Sequence, residues 1–180
     1  MTLRQKLVAA LAVVVLQAAI VLVALRVERA RDAVEPAFAV ERIAPRPAPD
    51  LAWTTADGSD GHLADVRGTV VVLHFWATWC PPCVNELPGL LELGHDDAVR
   101  VIAVSLDDDW AEVREFFAGR IPPGVVRASS SAVKQAYGVS VLPETWVIDA
   151  DGLLRMRIAG ERDWRGEEAR SAIRGAVRSE

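Results

Sequence analysis

The stretch from residue 70 to residue 87, VVVLHFWATWCPPCVNEL, constrains the fold more than any other part of the chain. Its apolar run over residues 70–76 predicts a buried strand. Cys80 and Cys83 follow, separated by two prolines, and they are the only cysteines in the sequence. After them, apolar residues recur at helical spacing, at Val84, Leu87, Leu90 and Leu91. The sequence therefore predicts a strand that delivers a cysteine pair to the start of a helix.

A cysteine pair in that position favours dithiol–disulfide chemistry. The macrodipole and the free N–H groups of a helix N-terminus stabilise a thiolate at the first cysteine. The second cysteine, one turn later, is close enough to form a disulfide with the first. We interpret Cys80 and Cys83 as a redox-active disulfide that needs no further cofactor.

Three other interpretations of the pair fit the sequence less well. A zinc site usually has four ligands, but the chain has no second cysteine pair and its histidines are scattered, so we expect no metal. Covalent haem attachment would require a histidine after Cys83, where Val84 stands. A purely structural disulfide across so short a loop would remove little entropy from the unfolded chain.

The bulk composition supports a folded domain and argues against several functions. The chain has 180 residues, of which 51% are hydrophobic, and a formal net charge of −5. This mild acidity, without a Lys/Arg cluster, argues against a nucleic-acid partner. The sequence contains no internal repeat, no glycine-rich phosphate loop and no Ser/His/Asp catalytic spacing.

Residues 7–25 form an apolar run whose only polar member is Gln17. A helix over this run would extend about 28 Å, close to the thickness of a bilayer core. The run is longer than the apolar region of a cleaved signal peptide and lacks a clean cleavage site. We predict an uncleaved signal anchor in the inner membrane, with residues 1–6 in the cytoplasm; a cleaved signal and a buried helix are the alternatives. The numbers of basic residues on the two sides of the run are nearly equal, so they do not determine its orientation. We place the N-terminus inside because a membrane tether is useful to an exported redox domain.

The rest of the chain divides into a linker and one domain. Residues 26–49 are predicted to be a linker, because four prolines break helices and favour extended backbone. Residues 50–180 have a normal length for a single domain. The predicted elements are a hairpin from 51–55 and 62–63, strands at 70–76, 99–106, 125–128, 145–148 and 153–158, and helices at 81–93, 110–118, 131–137 and 166–178. This order predicts an α/β sandwich around a mixed sheet.

The segments FWATWCPPC and, farther along, VLPETWVID resemble the thioredoxin fold, and more narrowly the membrane-anchored TlpA/ResA/CcmG-type thiol-disulfide oxidoreductases. The resemblance covers about residues 48–160. It implies a three-layer α/β sandwich, in which helices cover both faces of a mixed central sheet, behind one N-terminal transmembrane helix. It also implies that Pro143 is a cis-proline facing the disulfide. That turn would present the backbone of Val141 and Leu142 to a substrate peptide as an added strand.

The helix start assigns a role to each cysteine. Cys80, at the N-cap, is expected to be the exposed nucleophile, and Cys83 the buried thiol that resolves the mixed disulfide. Pro81 and Pro82 have no N–H groups, so the Cys80 thiolate loses two possible donors and is stabilised only moderately. Such a thiolate favours a reductant over an oxidant. We expect Trp79, together with both prolines, to line the substrate groove.

Two titratable residues near the pair are candidates for proton handling. Glu86 lies three positions after Cys83 on the same helix face, where the resemblance implies an acid that tunes the dithiol. An ordinary acid favourable to the helix dipole is the alternative. His74 departs from the family pattern, which has Asp in thioredoxin and often Asn in the narrower group. We interpret His74 as a core histidine, with a proton relay that titrates near neutrality as the alternative.

These features predict a membrane-tethered protein-disulfide reductase with its redox domain on the periplasmic side. The expected partners are the thiols and disulfides of exported proteins and a membrane thiol-electron donor. By resemblance, the substrates include apocytochrome c during cytochrome c maturation. Two alternatives stay open: a disulfide-forming or peroxide-linked enzyme of the same fold, and a non-catalytic peptide-binding module. The Pro-x-x-x-Thr-x-x-Cys pattern expected for peroxide chemistry is absent before Cys80.

Overall fold

The computed structural model describes residues 4–5, 15–24, 40–95 and 98–177 of the chain. The chain divides into two compact units, Met1–Pro36 and Ala37–Glu180. In the first unit, residues 15–24 are helical. Within the described residues, no helix is both long enough and apolar enough to cross a membrane. The predicted anchor at residues 7–25 extends beyond the described residues at both ends and stays a prediction.

Within the described residues of the second unit, eight strands form one mixed sheet. They are β1 Glu41–Pro47, β2 Ala52–Thr54, β3 Asp60–His62, β4 Val70–Trp76, β5 Val99–Ser105, β6 Val125–Arg127, β7 Glu144–Ile148 and β8 Leu153–Ala159. Their order across the sheet is β1-β8-β7-β4-β5-β6-β2-β3. β4, β5 and β6 run parallel, whereas β7 is antiparallel to both β4 and β8.

Helices cover both faces of the sheet, which confirms the predicted α/β sandwich. They are α1 Pro81–Leu93, α2 Trp110–Phe116, α3 Ser130–Tyr137 and α4 Glu167–Val177, and a short 3-10 helix spans Leu63–Val66. Side chains of α1, α2 and α4 pack into one apolar core with Val72 and Trp76 of β4. Side chains of α3 pack into a second core with Leu73 and Phe75 of the same strand. Each element predicted for residues 50–180 is present, with small shifts at its ends.

The central strand β4 is buried over its whole length. Successive side chains of a strand point to opposite faces, and here both faces meet a core. This explains why an apolar run without alternation forms a central strand. His74 shares its face with Val72 and Trp76, so it lies on the side of the sheet that α1 covers.

Residues 41–47, which fall within the predicted linker at 26–49, form a strand instead. β1 lies at the edge of the sheet, where it pairs antiparallel with β8. The register shifts between Arg42 and Arg46, in the segment that contains Pro45. An edge strand tolerates proline because its outer side needs no N–H donor for the sheet. The prolines that suggest a linker are therefore compatible with pairing, and the sheet begins before residue 50.

We predict that a fragment of residues 37–180 is more stable than a fragment of residues 50–180. Removal of β1 takes away its paired residues and exposes the edge of β8. At about 1 kcal/mol per net hydrogen bond, the free energy of unfolding should fall by about 2–4 kcal/mol. Urea unfolding of both fragments measures the difference. A fragment of residues 40–180, which keeps β1, is the control, and equal stability of all three would show that β1 adds nothing.

Candidate active site

The turn between β4 and α1 carries the cysteine pair. β4 ends at Trp76, and α1 begins at Pro81 with Cys80 as its N-cap, as predicted. The first intrahelical hydrogen bond runs from the Val84 N–H to the Cys80 carbonyl at 3.1 Å. Prolines suit the preceding positions because N–H groups of a first helical turn have no intrahelical acceptor. Cys80 and Cys83 are joined as a disulfide, with their Cα atoms 5.3 Å apart.

The two cysteines differ in access to solvent. Cys83 is 0% exposed and Cys80 is 5% exposed. The prediction that Cys80 is an exposed nucleophile therefore needs correction, because in the disulfide form it belongs to the apolar core with Trp76. Trp79, at 66% exposed, is the residue that projects into solvent. A partner can reach the disulfide only through the small surface of Cys80, and Cys83 stays internal.

Pro143, the residue before β7, lies at the same end of the sheet as the disulfide. The Leu142–Pro143 peptide bond is cis, which confirms the prediction. Glu144 pairs with Phe75, so Pro143 lies beside the end of β4 that leads to the disulfide. Val141 is 71% exposed and Leu142 is half-buried. The backbone of these two residues makes no hydrogen bond to the described part of the chain.

A buried carboxylate holds the turn that leads to Cys80. Asp107, just after β5, is 2% exposed. Its carboxylate accepts hydrogen bonds from the Thr78 N–H at 3.1 and 3.2 Å and from the Thr78 hydroxyl at 2.7 Å. The Ser105 hydroxyl donates to the same carboxylate at 2.7 Å. Because Thr78 lies two residues before Cys80, Asp107 holds the turn that carries the disulfide.

Sequence reasoning missed this role of Asp107. The acidic run at residues 107–109 predicts only a loop and a helix start, and Asp109 does cap α2 by accepting from the Ala111 N–H. Asp107 and Thr78 are 29 residues apart, so only the pairing of β4 with β5 brings them together. One feature of the sequence could have predicted this contact. Neighbouring parallel strands end at the same edge of a sheet, so the residues that follow β4 and β5 lie close together.

Glu86 and His74 face each other beneath α1. Glu86 Oε1 lies 3.6 Å from His74 Nε2, and both side chains are buried. The other carboxylate oxygen, Oε2, accepts a hydrogen bond from the Arg162 N–H at 2.5 Å. His74 Nδ1 lies 2.8 Å from the Thr145 hydroxyl oxygen of β7. The structure thus joins both candidates for proton handling in one buried pair, next to the face of α1 that bears Cys83.

Burial sets the charge of both members of this pair. Desolvation lowers the pKa of His74 to about 3, so its imidazole is neutral at pH 7. Desolvation raises the pKa of Glu86 to about 7, against hydrogen bonds from the Arg162 backbone and the Trp164 side chain that lower it. His74 is therefore a core histidine, as interpreted from the sequence. The group that titrates near neutrality is Glu86.

A further buried carboxylate, that of Glu144, holds the segment after Pro143. Glu144 is 2% exposed, and it accepts hydrogen bonds from Arg157 Nη2 at 2.6 Å and from Trp146 Nε1 at 2.9 Å. Sequence reasoning missed this residue too. The sequence signal was an acid at the start of an apolar strand, because a buried charge needs a partner. Arg157 of β8, which is paired with Trp146, supplies that partner.

The assembled site is suited to thiol–disulfide exchange. It combines a disulfide at a helix N-terminus, one nearly buried and one fully buried cysteine, and an adjacent backbone segment free to pair. Among the residues that the structure describes, no group of three or more His, Cys, Asp or Glu side chains could hold a metal ion. The fold and the site define a thioredoxin-like thiol-disulfide oxidoreductase.

Comparison with known proteins identifies the family and several relatives of this chain. It belongs to the AhpC/TSA family, which matches residues 45–157. The thiol-disulfide oxidoreductase ResA of Geobacillus thermodenitrificans is 35% identical over 119 residues, covering 63% of this chain and 67% of that protein. ResA of Bacillus anthracis is 32% identical over 121 residues, covering 64% and 69%. A crystal structure of a thiol:disulfide interchange protein of the thioredoxin family from Chlorobium tepidum matches with a TM-score of 0.61 at 25% identity, covering 76% of this chain and 99% of that chain.

We predict that Asp107→Asn destabilises the protein and slows disulfide exchange. The variant keeps the size of the side chain but replaces one acceptor oxygen by a donor, so a buried bond from Thr78 or Ser105 is lost. The free energy of unfolding should fall by about 1–3 kcal/mol. Asp108→Asn, an exposed neighbour with the same charge change, is the control. Chemical unfolding and the rate of reaction with a small disulfide measure both effects, and equal behaviour of the two variants would contradict the role of Asp107.

We predict that Glu86→Gln becomes progressively more stable than the wild type as the pH rises. The pKa of Glu86 is raised from 4.5 to about 7, so the folded state binds this proton more tightly than the unfolded chain does. Stability from the protonated carboxyl is complete below pH 4.5 and is lost as the pH rises through 7. From about pH 5 to about pH 8, the variant should gain about 2–3 kcal/mol relative to the wild type.

Urea unfolding across this pH range measures the relative gain of Glu86→Gln. The lowered pKa of His74 acts with the opposite sign, because stability from its neutral form is lost as the pH falls toward 3. That contribution is complete above the ordinary pKa of His74, 6.5, so the part of the comparison above pH 6.5 reports Glu86. Glu92→Gln, an exposed acid on the same helix, is the control and should show no such gain. A pH-independent difference for Glu86→Gln would mean that Glu86 is ionised throughout.

Proposed function

We propose that this protein reduces disulfide bonds of exported proteins, with Cys80 as the attacking thiolate and Cys83 as the resolving thiol. The observation that carries the proposal is the disulfide at the N-terminus of α1, where Cys80 keeps a small exposed surface and Cys83 has none. The helix N-terminus stabilises a thiolate at Cys80. The burial of Cys83 restricts its sulfur to reaction within the chain.

The start of α1 favours reduction over oxidation. Pro81 and Pro82 occupy its first two positions and have no N–H groups, so the Cys80 thiolate lacks two backbone donors. A thiolate that is less stabilised in the reduced protein corresponds to a lower reduction potential. A low potential means that the dithiol donates electrons to substrate disulfides.

The proposed cycle transfers two electrons. The Cys80 thiolate attacks one sulfur of a substrate disulfide, which forms a mixed disulfide and releases the other substrate sulfur as a thiolate. Cys83 then loses its proton and attacks the Cys80 sulfur. This step forms the Cys80–Cys83 disulfide and releases the second substrate sulfur, which takes up a proton. A membrane thiol-electron donor, reacting by the reverse exchange, is proposed to return both electrons.

The surface beside the disulfide is suited to an extended peptide. The unpaired backbone of Val141 and Leu142 offers hydrogen-bonding groups for an added strand. Trp79, in the turn that leads to Cys80, projects into solvent and offers an aromatic surface. We therefore propose a groove formed by Trp79, Pro81, Pro82, Val141 and Leu142, with Pro143 at its base. Main-chain pairing would allow substrates of varied sequence.

We further propose that residues 7–25 anchor the protein in the inner membrane with the redox domain in the periplasm. The apolar length of this segment and the resemblance to membrane-anchored oxidoreductases support this placement. Disulfides form in an oxidising compartment of this kind, so substrates for a reductase arise there. An apocytochrome c whose haem-binding cysteines have become oxidised is a substrate of suitable chemistry, since haem attachment needs free thiols.

We predict a reduction potential near that of thioredoxin, about −270 mV, for the Cys80–Cys83 pair. The measurement uses tryptophan fluorescence of the full chain in detergent, equilibrated in dithiothreitol or glutathione buffers at pH 7. A potential near about −120 mV would contradict the reductase and make the protein an oxidant of exported proteins.

Matched serine variants test the role of each cysteine in the same prediction. Cys83→Ser should accumulate a stable mixed disulfide with a disulfide-containing peptide, because the resolving thiol is missing. Cys80→Ser, with the same change at the other sulfur, should accumulate none. If the wild type had no reversible couple and neither variant formed a mixed disulfide, a peptide-binding module without redox activity would replace this proposal.

A further inference from the structure

Phe116 is an exposed aromatic residue to which neither the fold nor the redox site assigns a role. In the described part of the second unit, the large apolar side chains exposed to solvent are Trp79, Val141 and Phe116, the last of them 38% exposed. Trp79 and Val141 belong to the groove proposed for the substrate peptide. Apolar side chains that lie together on a surface mark a binding site, whereas scattered ones do not. The neighbours of Phe116 decide whether it joins that groove.

These neighbours place Phe116 beside the end of β4. Its ring centroid lies 5.5 Å from that of Trp76, the last residue of β4, and 4.8 Å from that of Phe117. The Phe117 ring in turn lies 5.9 Å from Trp76. Trp76 is fully buried in the apolar core that also contains Cys80 and Cys83. Phe116 is therefore the outer ring of an aromatic cluster whose inner ring belongs to the core around the disulfide.

Contacts at both ends of α2 hold this helix in place. Trp110 Nε1 donates a hydrogen bond to the Thr54 hydroxyl at 3.1 Å. Arg114 Nη2 donates another to the Ala56 carbonyl at 3.1 Å. Just beyond the helix, Ala118 has a φ of 48°, in the left-handed region that residues with a Cβ atom rarely adopt. Such a conformation persists only where surrounding contacts fix the backbone, so α2 is a rigid carrier for its last side chain.

The order of the strands places Phe116 and the peptide-pairing segment on different sides of the turn that carries the disulfide. β4 lies between β7 and β5 in the sheet. Val141 and Leu142 lead into β7, whereas α2 follows β5 and is hydrogen-bonded to β2, two strands beyond β5. A peptide that pairs with Val141 and Leu142 and reaches Cys80 therefore meets Phe116 on the β5 side.

We infer that Phe116 is a specificity-determining contact for the substrate and binds an apolar side chain two residues from the substrate cysteine. The inference rests on the proposed function, because it concerns the peptide whose disulfide Cys80 attacks. The occupant is a side chain of that same peptide, since the proposed groove brings an extended substrate to this edge of the sheet. The preferred substrates are thus disulfides with a bulky apolar residue at that position.

The spacing of an extended chain selects the second position. Neighbouring strands are about 4.8 Å apart, and residues i and i+2 of one strand lie about 6.6 Å apart on the same face. A substrate cysteine that points at Cys80 therefore has the side chain of its second neighbour on the same face, toward β5. The side chains of its immediate neighbours point to the opposite face. An apolar side chain at the second position covers the exposed part of the Phe116 ring, and this loss of apolar surface from water favours binding.

Reduction of short model peptides by the reduced full chain in detergent tests this inference. Each substrate is a disulfide-linked dimer of a peptide with one cysteine among serine and glycine residues, so that both sulfurs are equivalent. Four peptides carry a phenylalanine one or two residues before or after the cysteine, and a fifth carries none. Chromatography of the released peptide thiol gives the second-order rate constant for each dimer.

The wild type should reduce one of the two peptides with phenylalanine at a second position about tenfold faster than the peptide without phenylalanine. Only one direction of the chain places that residue on the β5 side. Phenylalanine next to the cysteine should give no such gain. Phe116→Ser should remove the gain, because the apolar surface is missing, whereas Phe116→Tyr keeps the ring and should keep the gain. The gain is a ratio of two peptides on one protein, so a general change in the reactivity of Cys80 cancels.

A matched control and a second variant complete the test. Glu115→Ser changes an exposed neighbour at the end of the same helix and should keep the gain. If Phe116→Ser does not fold by circular dichroism, Phe116→Gln, which keeps a straight stem over Trp76, replaces it and should also lose the gain.

Three results would contradict the inference, and only one of them reaches the proposed function. A gain that persists in the serine or glutamine variant of Phe116 would overturn the role of Phe116 and leave the reductase intact. Equal rates for all five peptides in the wild type, or a gain confined to the positions next to the cysteine, would do the same. Failure of the wild type to reduce any of the peptides would instead remove the proposed function and this inference with it.

Discussion

Burial of β4 on both faces is the constraint on which the rest of the site depends. The strand is hydrogen-bonded to β5 on one side and β7 on the other, and its side chains enter both cores. Its end is therefore held in place from four directions, and the turn to Cys80 starts from a rigid point. β4 and β5 end at the same edge of the sheet, and β7 begins there. Asp107 and Pro143 therefore lie next to the turn that carries the disulfide.

The buried polar side chains around this edge differ in how completely their atoms are hydrogen-bonded. Asp107 and Glu144 accept hydrogen bonds from partners on other elements, so each carboxylate is compensated for its loss of water. Their contacts hold the two segments that flank the disulfide. Glu86 and His74 are less completely satisfied, and burial moves the pKa of each away from its ordinary value. Glu86 and His74 therefore differ from Asp107 and Glu144 in that each keeps a buried polar atom without a hydrogen bond among the described residues.

Much of the fold follows from local patterns in the chain. The apolar run of residues 70–76, the helical spacing after Cys83 and the hairpin signal near Gly152 each predict the element that forms. The errors have local causes too. Pro45 is read as a linker residue because proline opposes pairing in a central strand, yet β1 is an edge strand. Cys80 is expected to be exposed because a helix N-cap usually is, yet the core around Trp76 covers it.

The sequence by itself determined the disulfide, since Cys80 and Cys83 have no other cysteine to pair with and a helix start places them within reach. Through the order of strands and helices it also determined the layered architecture. Only the tertiary structure decided which polar groups serve the site. Thr78 and Asp107 are separated by 29 residues, His74 and Thr145 by 71, and Glu86 and Arg162 by 76. Hydrogen bonds and desolvation act over a few ångströms, so the chemistry of these groups exists only once the sheet has brought distant segments together.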